Sequence, residues 1–438
     1  MKKLILSICL IVTCVFGAQA QFPWQYDSIS MGANANDDVY YEMNTAGAVS
    51  TASNLGWHIA LAQLGIADSA AIWANHNYGN SYTVVYDINK VAGDWASVSL
   101  TDTLLAPKLF NGVDAWHQGA LNNIPSANPF NFGWGTYVQA NHTIVGDRIF
   151  IIKADGIFYK VLIEDLEAGP MIYTVKVGLF DMANTTNTYQ VMKAPTYTNK
   201  QFAYMNLATG QFIDREPDLD SWDIVFTKFT DLVAPGPPPT PAQPYNVVGI
   251  LSNRAALTTQ AFTIDVDDAE TNYSSTYASN LALEPISEIG WDWKQYNGGT
   301  MNYDIVDSNS YFIQSIQGNV WQLEFLGYSG LGDGNIQFRK RLIAYPIGVD
   351  EVTKNNSLTL YPNPASEQIN LIFESSKVSE LSIKVHSMNG AVVLNTKKSA
   401  QSGLNVWTLP TNQFPNGNYV ISIEDGSQLR TQKMTILR

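Results

Sequence analysis

Arg148-Ile-Phe-Ile-Ile-Lys-Ala-Asp-Gly-Ile-Phe-Tyr-Lys-Val-Leu-Ile163 consists of two runs of β-branched and aromatic residues joined by Asp155-Gly156. Such side chains suit a pleated, packed surface, and Asp-Gly supplies the two positive-φ residues of a tight hairpin turn. After the Ala168-Gly169 break, Tyr173-Thr-Val-Lys-Val177 continues the pattern, so the region predicts an antiparallel sheet. Amphipathic helices are scarce elsewhere; Leu55 to Ala74 is the best helical candidate and a weak one. The chain therefore reads as all-β.

Outward from this hairpin the body carries one plan twice. Tyr41-Glu-Met43-Asn44 and Gly56-Trp57-His58-Ile59 answer to Tyr204-Met205-Asn206 and Ser221-Trp222-Asp223-Ile224, with the Met pair offset by 162 and the Trp pair by 165. Phe132-Gly133-Trp134 to Tyr137 answers to Ile289-Gly290-Trp291-Asp-Trp293 to Tyr296, and Gly156 to Gly318, again offset by 162. Two copies predict a pair of domains, whereas a solenoid needs about three or more repeats. The expected layout is two tandem antiparallel β-rich domains, 21–195 and 196–345, a linker over 346–356, and an immunoglobulin-like sandwich over 357–438. The Pro-rich run 234–244 lies inside the second copy and reads as a loop insertion, with a domain boundary as the alternative.

Residues 1–20 read as a secretory signal: Lys2 and Lys3, the apolar run Leu4 to Phe16, then Ala18-Gln19-Ala20 before a mature start at Gln21. Thr13 before Cys14 is a poor lipobox. Cys9 and Cys14 both fall in the signal, which excludes disulfides and thiolate metal sites from the mature chain. No second apolar run is long enough to span a bilayer as a helix. Residues 21–350 hold 15 Lys+Arg against 33 Asp+Glu, net −18, while 357–438 hold 7 against 5, net +2. So acidic a body argues against nucleic acid or anionic lipid as partner.

The tail opens on Tyr361-Pro362-Asn363-Pro364, turns at Met388-Asn389-Gly390, enters a strand at Asn416-Gly417-Asn418-Tyr419 and closes on Lys433-Met-Thr-Ile436. Short alternating strands between these turns describe an antiparallel sandwich. The series closely resembles the type A C-terminal sorting domain of the type IX secretion system. That resemblance implies the secretion machinery as partner, passage through the outer membrane, and a cell-surface destination.

The body lacks His-Glu-x-x-His, Gly-x-Ser-x-Gly and a phosphate-cradling Gly-Lys-Ser/Thr loop, so no enzyme is expected. Asp265 to Glu270 lacks the glycine and spacing of a calcium loop and reads as a solvated turn. Eleven Trp and 12% aromatics mostly suit β cores, with a sugar-stacking platform as the alternative. Superposed, the copies place His142 and Met301 at equivalent positions, eight residues after Trp134 and Trp293 and five after Tyr137 and Tyr296. Imidazole and thioether are common axial haem ligands; the bland readings are a turn residue for His142 and a core filler for Met301. His117 is the nearest second candidate ligand in the first copy.

Asn206 to Gly210, Trp222-Asp-Ile-Val-Phe226, Trp134 to Tyr137 with His142, Lys153-Ala-Asp-Gly-Ile-Phe-Tyr-Lys-Val161 and Gly334-Asn-Ile-Gln-Phe338-Arg339 together resemble HmuY-type haem-binding proteins over residues 38–343. The resemblance implies haem as cofactor and an outer-membrane receptor as partner. His142 with His117, or Met301 with Tyr273 or Tyr277, would then ligate iron beside Trp134 and Tyr137. His58 stands where that family has Asp. The competing expectation is a surface structural or glycan-binding protein with no haem site.

Overall fold

Strands Arg148–Ala154 and Ile157–Glu167 pair with Ala154 opposite Ile157, and Asp155 and Gly156 between them have φ of 51° and 81°. The Asp-Gly hairpin therefore forms as the sequence predicts. The computed structural model describes residues 22–438 except 46, 65–69, 78–82, 125, 127, 182–183, 235–239, 263–279, 345–357, 376–377, 388–390 and 425–428. The signal segment, the acidic run at Asp265, and Tyr273 and Tyr277 lie outside the described residues.

All pairings between strands are antiparallel among the described residues, and the helical elements are short 3-10 turns. Leu55 to Ala74 is not helical: it holds the strands Ile59–Ala62 and Ile72–Ala74. Ile59 and Leu61 face one core while Ala60 and Ala62 face another. A strand buried on both sides shows no polar alternation, so its apolar run mimics a helix.

The body is built as two matching halves. One large sheet runs Thr186–Met192, Ile172–Leu179, Ile157–Glu167, Arg148–Ala154, Thr83–Val91; its counterpart runs Gln25–Ser30, Asn335–Ala344, Val320–Tyr328, Asn309–Gln314, Leu257–Phe262. Two four-stranded sheets match likewise. One runs Phe212–Ile213, Phe202–Met205, Ile59–Ala62, Ile72–Ala74, and the other Ala48–Ser53, Asp37–Tyr41, Ile224–Val233, Gln243–Ser252.

In each of these four sheets the leading strands of one repeat sit beside the later strands of the other. Asp37–Tyr41 from the first repeat pairs with Ile224–Val233 of the second, and Phe202–Met205 from the second pairs with Ile59–Ala62 of the first. Gln25–Ser30 borders Asn335–Ala344, just as Thr186–Met192 borders Ile172–Leu179. The pairing is a reciprocal exchange of strands within one chain, and by this symmetry Thr186–Met192 opens the second repeat, ahead of the expected 195/196 division. Residues 234–242 connect two strands that pair from Ile224/Ser252 to Val233/Gln243, the place of a loop inside a hairpin, while Gln243 and Pro244 at the end of the Pro-rich run already belong to the second strand.

Three large apolar cores result among the described residues, with smaller clusters around Ile149 and Phe312 on the outer faces of the large sheets. Ile59, Leu61, Trp134, Ile152 and Met205 belong to one outer core; Tyr41, Phe226, Trp293, Tyr311 and Phe338 to the other. Between the small sheets lies a third, with Tyr40, Trp57, Trp73, Phe202, Tyr204 and Trp222.

Register refines the repeat. Ile224 pairs with Tyr41 and Ile59 with Met205, so Tyr41 answers to Met205 and Met43 to Leu207; the Met-to-Met match is two residues out. At this point each repeat is locked by one buried side chain from the other. Asp223 accepts the amide protons of Met43 and Ile316 at 2.7 Å each. In the matching place His58 Nδ1 accepts the Leu207 amide at 2.9 Å, while its Nε2 faces Asp155 Oδ2 at 2.9 Å. An amide can only donate, so the neutral ring carries its proton on Nε2 and gives it to Asp155. The carboxylate absent at 58 is thus supplied from the hairpin turn. Asn75 and Asn253 repeat the symmetry, donating to the carbonyls of Asn54 and Trp57 and of Leu219 and Trp222.

The tail is a sandwich of a three-stranded sheet, Leu358–Tyr361, Gln368–Ser375 and Gly403–Pro410, and a four-stranded one, Val392–Ala400, Ser379–Ser387, Gly417–Glu424 and Leu429–Ile436. Its opening and closing motifs meet: Asn363 donates to the Lys433 carbonyl at 2.9 Å and accepts the Thr435 amide at 2.8 Å. Phe373, Ile421 and Met434 fill its core.

Asp223→Ala leaves two interior amides without an acceptor, at about 1–3 kcal/mol for each such group. In urea unfolding of the mature chain a loss of about 3 kcal/mol is expected, with Asp223→Asn recovering part of it. A loss below about 0.5 kcal/mol would show that the lock carries no weight.

Candidate functional site

The expected ligands His142 and His117 border separate pockets, while Tyr273 and Tyr277, expected beside Met301, lie outside the described residues. His142 occupies the last residue of a hairpin turn between Gly135–Val138 and Thr143–Gly146, with φ 54°; Met301 occupies the same place between Lys294–Asn297 and Asn302–Ile305, with φ 55°. The equivalence of the two positions thus holds in geometry, and what they share is a left-handed turn conformation. His142 Nδ1 lies 2.8 Å from the Tyr137 hydroxyl, so these two expected residues do meet. Its ring borders a broad pocket of about 490 Å³ with Glu164, Asp165 and Glu167. Trp134 is fully buried in an outer core, with its indole N–H on the Ala70 carbonyl at 3.0 Å, and takes no part in that pocket's lining. His117 lines a different cleft, 3.8 Å from Glu284. Met301 is 77% exposed and is no core filler.

Sequence reasoning missed the middle core. Between the small sheets is a cavity of about 70 Å³ bordered by Asp38, Trp57, His76, Arg215, Glu216 and Trp222. Next to it an open cleft of about 120 Å³ is bordered by Leu64, His117, Arg254, Leu283 and Glu284. Trp116, Gln201 and Phe202 line both spaces.

Ionisable side chains of opposite sign border the cavity, Asp38 and Glu216 against Arg215 and Lys228. Arg215 reaches Asp38 at 2.8 Å with both side chains nearly buried, and its guanidinium lies 4.8 Å from the Tyr204 ring centre. Asp38 also accepts from Thr227 at 2.6 Å and Asn54 at 3.0 Å, which satisfies the ion. Glu216 accepts the Phe202 amide at 2.8 Å and the Tyr204 hydroxyl at 2.7 Å. Burial pushes its carboxyl up to about 7, against the lowering pull of those donors and of Arg215.

Other buried atoms are left over. His76 is buried, with Nδ1 2.9 Å from the Thr83 carbonyl, and burial pushes its pKa down to about 4. The neutral ring therefore keeps its proton on Nδ1, and Nε2 is a bare acceptor with no partner among the described residues. Gln201 Oε1 and Trp222 Nε1 are likewise buried and unpartnered. Symmetry explains the last: the matching Trp57 donates to Asn54 Oδ1 at 3.1 Å, and Leu219 stands in Asn54's place beside Trp222. A satisfied tryptophan in one repeat is an open donor in the other.

Aromatic rings fix the outer cleft. Trp73 donates to the Trp116 carbonyl at 2.8 Å, Trp116 donates to the Ser252 carbonyl at 2.9 Å, and their ring centres are 5.1 Å apart. With both indole N–H groups committed, these rings offer faces and edges.

Residues 359–437 match the family model for the secretion system C-terminal sorting domain. The tail thus defines a class, cargo of type IX secretion, with that machinery as its partner and the outer cell surface as its destination. No curated protein matches the chain. Solved structures with some likeness include dimeric latent PorU from Porphyromonas gingivalis, 8% identical with a TM-score of 0.18, covering 84% of this chain and 31% of that one. An endonuclease/exonuclease/phosphatase from Beutenbergia cavernae DSM 12333 is 10% identical with a TM-score of 0.16, covering 60% and 68%. The alignment spans about a third of the PorU chain, and at such scores neither likeness bears on fold or activity.

A carboxyl raised in the folded state stabilises most when protonated, so the Glu216 contribution is full below about pH 4.5 and fades as pH rises through about 7. His76 works oppositely, its contribution fading as pH falls from about 6.5 to about 4. The Glu216 effect therefore shows in a difference: relative to wild type, Glu216→Gln should gain stability between pH 4.5 and 7, by at most on the order of 3 kcal/mol. Parallel stability–pH curves for the two proteins would contradict this environment.

Proposed function

We propose that this chain is an exported cell-surface binding protein whose ligand enters the space beside the inner sheets and which holds no haem. The observation that carries the reading is that His76, Gln201 and Trp222, each with one buried polar atom unpartnered among the described residues, border adjoining spaces walled by aromatic rings. Each unpaired buried group costs about 1–3 kcal/mol, which a guest supplying the missing hydrogen bond offsets. Binding fits this chemistry better than catalysis. An imidazole with pKa near 4 is a weak base at neutral pH, and Glu216 is tied up by its own donors.

Haem capture by a pair of axial side chains requires both to face one ring. His142 and His117 border separate pockets, and Met301 stands on an exposed turn. Haemin mixed with the mature chain is expected to keep a broad, unshifted Soret band. A sharpened, red-shifted band that is lost in His142→Ala would overturn the haem-free reading. For display, a chain ending at residue 356 is expected to stay in the periplasm, out of reach of protease added to intact cells; surface cleavage of that truncated chain would show that the tail is dispensable.

A further inference from the structure

We propose that the cleft beside Trp116 and the chamber behind it take one neutral sugar residue at the end of a glycan, an inference that rests on the binding role above. Three properties of the site select this chemistry.

The first is the mixture of hydrogen-bonding sense. His76 Nε2 and Gln201 Oε1 accept, whereas Trp222 Nε1 donates, and all three lack partners among the described residues. A hydroxyl both gives and takes a proton, so a polyol can satisfy all three; an apolar guest satisfies none. An anionic group would face Glu216 and the open acceptors, and a cation would face Arg215 and Lys228, which border the same chamber. Because Asp38 and Arg215 are paired and Lys228 is bonded to the Asn34 carbonyl and Asn36, the chamber favours an uncharged guest.

The second is the wall. Trp116 and Phe202 have ring centres 6.1 Å apart, and Trp73 lies behind both at 5.1 and 6.0 Å. The C–H face of a pyranose is apolar and stacks on such rings. With the indoles held by the Trp116 and Ser252 carbonyls, the platform is already ordered before binding and little side-chain freedom is lost.

The third is size and position. The spaces of about 120 Å³ and 70 Å³ share Trp116, Gln201 and Phe202 as a common wall, and together they are on the scale of a small guest such as one sugar ring and its substituents. At the mouth, His117 and Glu284 are about half exposed and 3.8 Å apart, in reach of hydroxyls on the following sugar. The ring would rest on Trp116 and Phe202, bond Gln201 at the common wall, and turn its hydroxyl edge toward Trp222 and His76.

The test uses the mature full-length chain and a panel of free glucose, galactose, mannose, fucose and N-acetylglucosamine, with glucuronate and inorganic phosphate as charged probes. At least one neutral sugar should quench tryptophan fluorescence saturably and shift the Trp116 and Trp222 indole N–H resonances. Gln201→Leu and Trp222→Phe should each weaken that binding at least ten-fold while leaving the urea midpoint near wild type. If a variant fails to fold, the indole shifts in the wild-type protein decide alone. No saturable response to any neutral sugar, tighter binding of glucuronate or phosphate, unchanged affinity in Gln201→Leu, or sugar-induced shifts that spare both indoles would each overturn the proposal. A positive haemin result removes the underlying reading; a negative haemin result with no sugar response removes this inference only.

Discussion

Backbone hydrogen bonds between Asp37–Tyr41 and Ile224–Val233, and between Phe202–Met205 and Ile59–Ala62, tie the two repeats into one object. A strand whose amides and carbonyls lack partners is costly inside a protein and hazardous at its edge. Here each repeat presents leading strands that its own later strands leave unpaired, and the other repeat accepts them. The interior locks sit on the same seam: Asp223 on Met43, His58 on Leu207. Two identical subunits could exchange strands in this way, and a single chain containing both copies reproduces the arrangement internally.

The middle core exists only because of that exchange. Once the small sheets contain strands from both repeats, their outer-core sides carry Ile59, Leu61 and Phe226, and their inner sides carry Trp57, Tyr204 and Trp222. The candidate site lies in this seam, and it depends on the copies having diverged. Asn54 satisfies Trp57, whereas Leu219 leaves Trp222 open. Arg215 and Glu216 come from the second repeat while Asp38 comes from the first, so neither repeat contains the cavity by itself.

Much of this was legible in the sequence. The Asp155-Gly156 hairpin, the sorting tail and the duplication rest on local patterns, and the equivalence of His142 with Met301 followed from spacing. What the spacing could not tell was why those positions correspond. A four-residue turn needs a left-handed residue before its second strand, and His142 and Met301 fill that role. Partner choice was also hidden: side-chain alternation says which face a strand buries and nothing about which repeat supplies its neighbour. Strands buried on both faces, such as Ile59–Ala62, lose even that alternation. The unpaired atoms of Gln201 and Trp222 were invisible for another reason, since an absent hydrogen bond is a property of surroundings contributed by distant segments.

The exchange makes a direct demand on the halves of the body. Cutting the chain in the 182–183 connection yields one piece with the strands from Gln25 to Leu179 and another with those from Thr186 to Ala344. Each piece contains leading strands whose partners are in the other, so neither should unfold cooperatively in urea when purified alone. On mixing, the two should form a one-to-one complex with the circular dichroism and unfolding midpoint of the uncut body. Cooperative, monomeric folding of either piece in isolation would contradict the exchanged architecture.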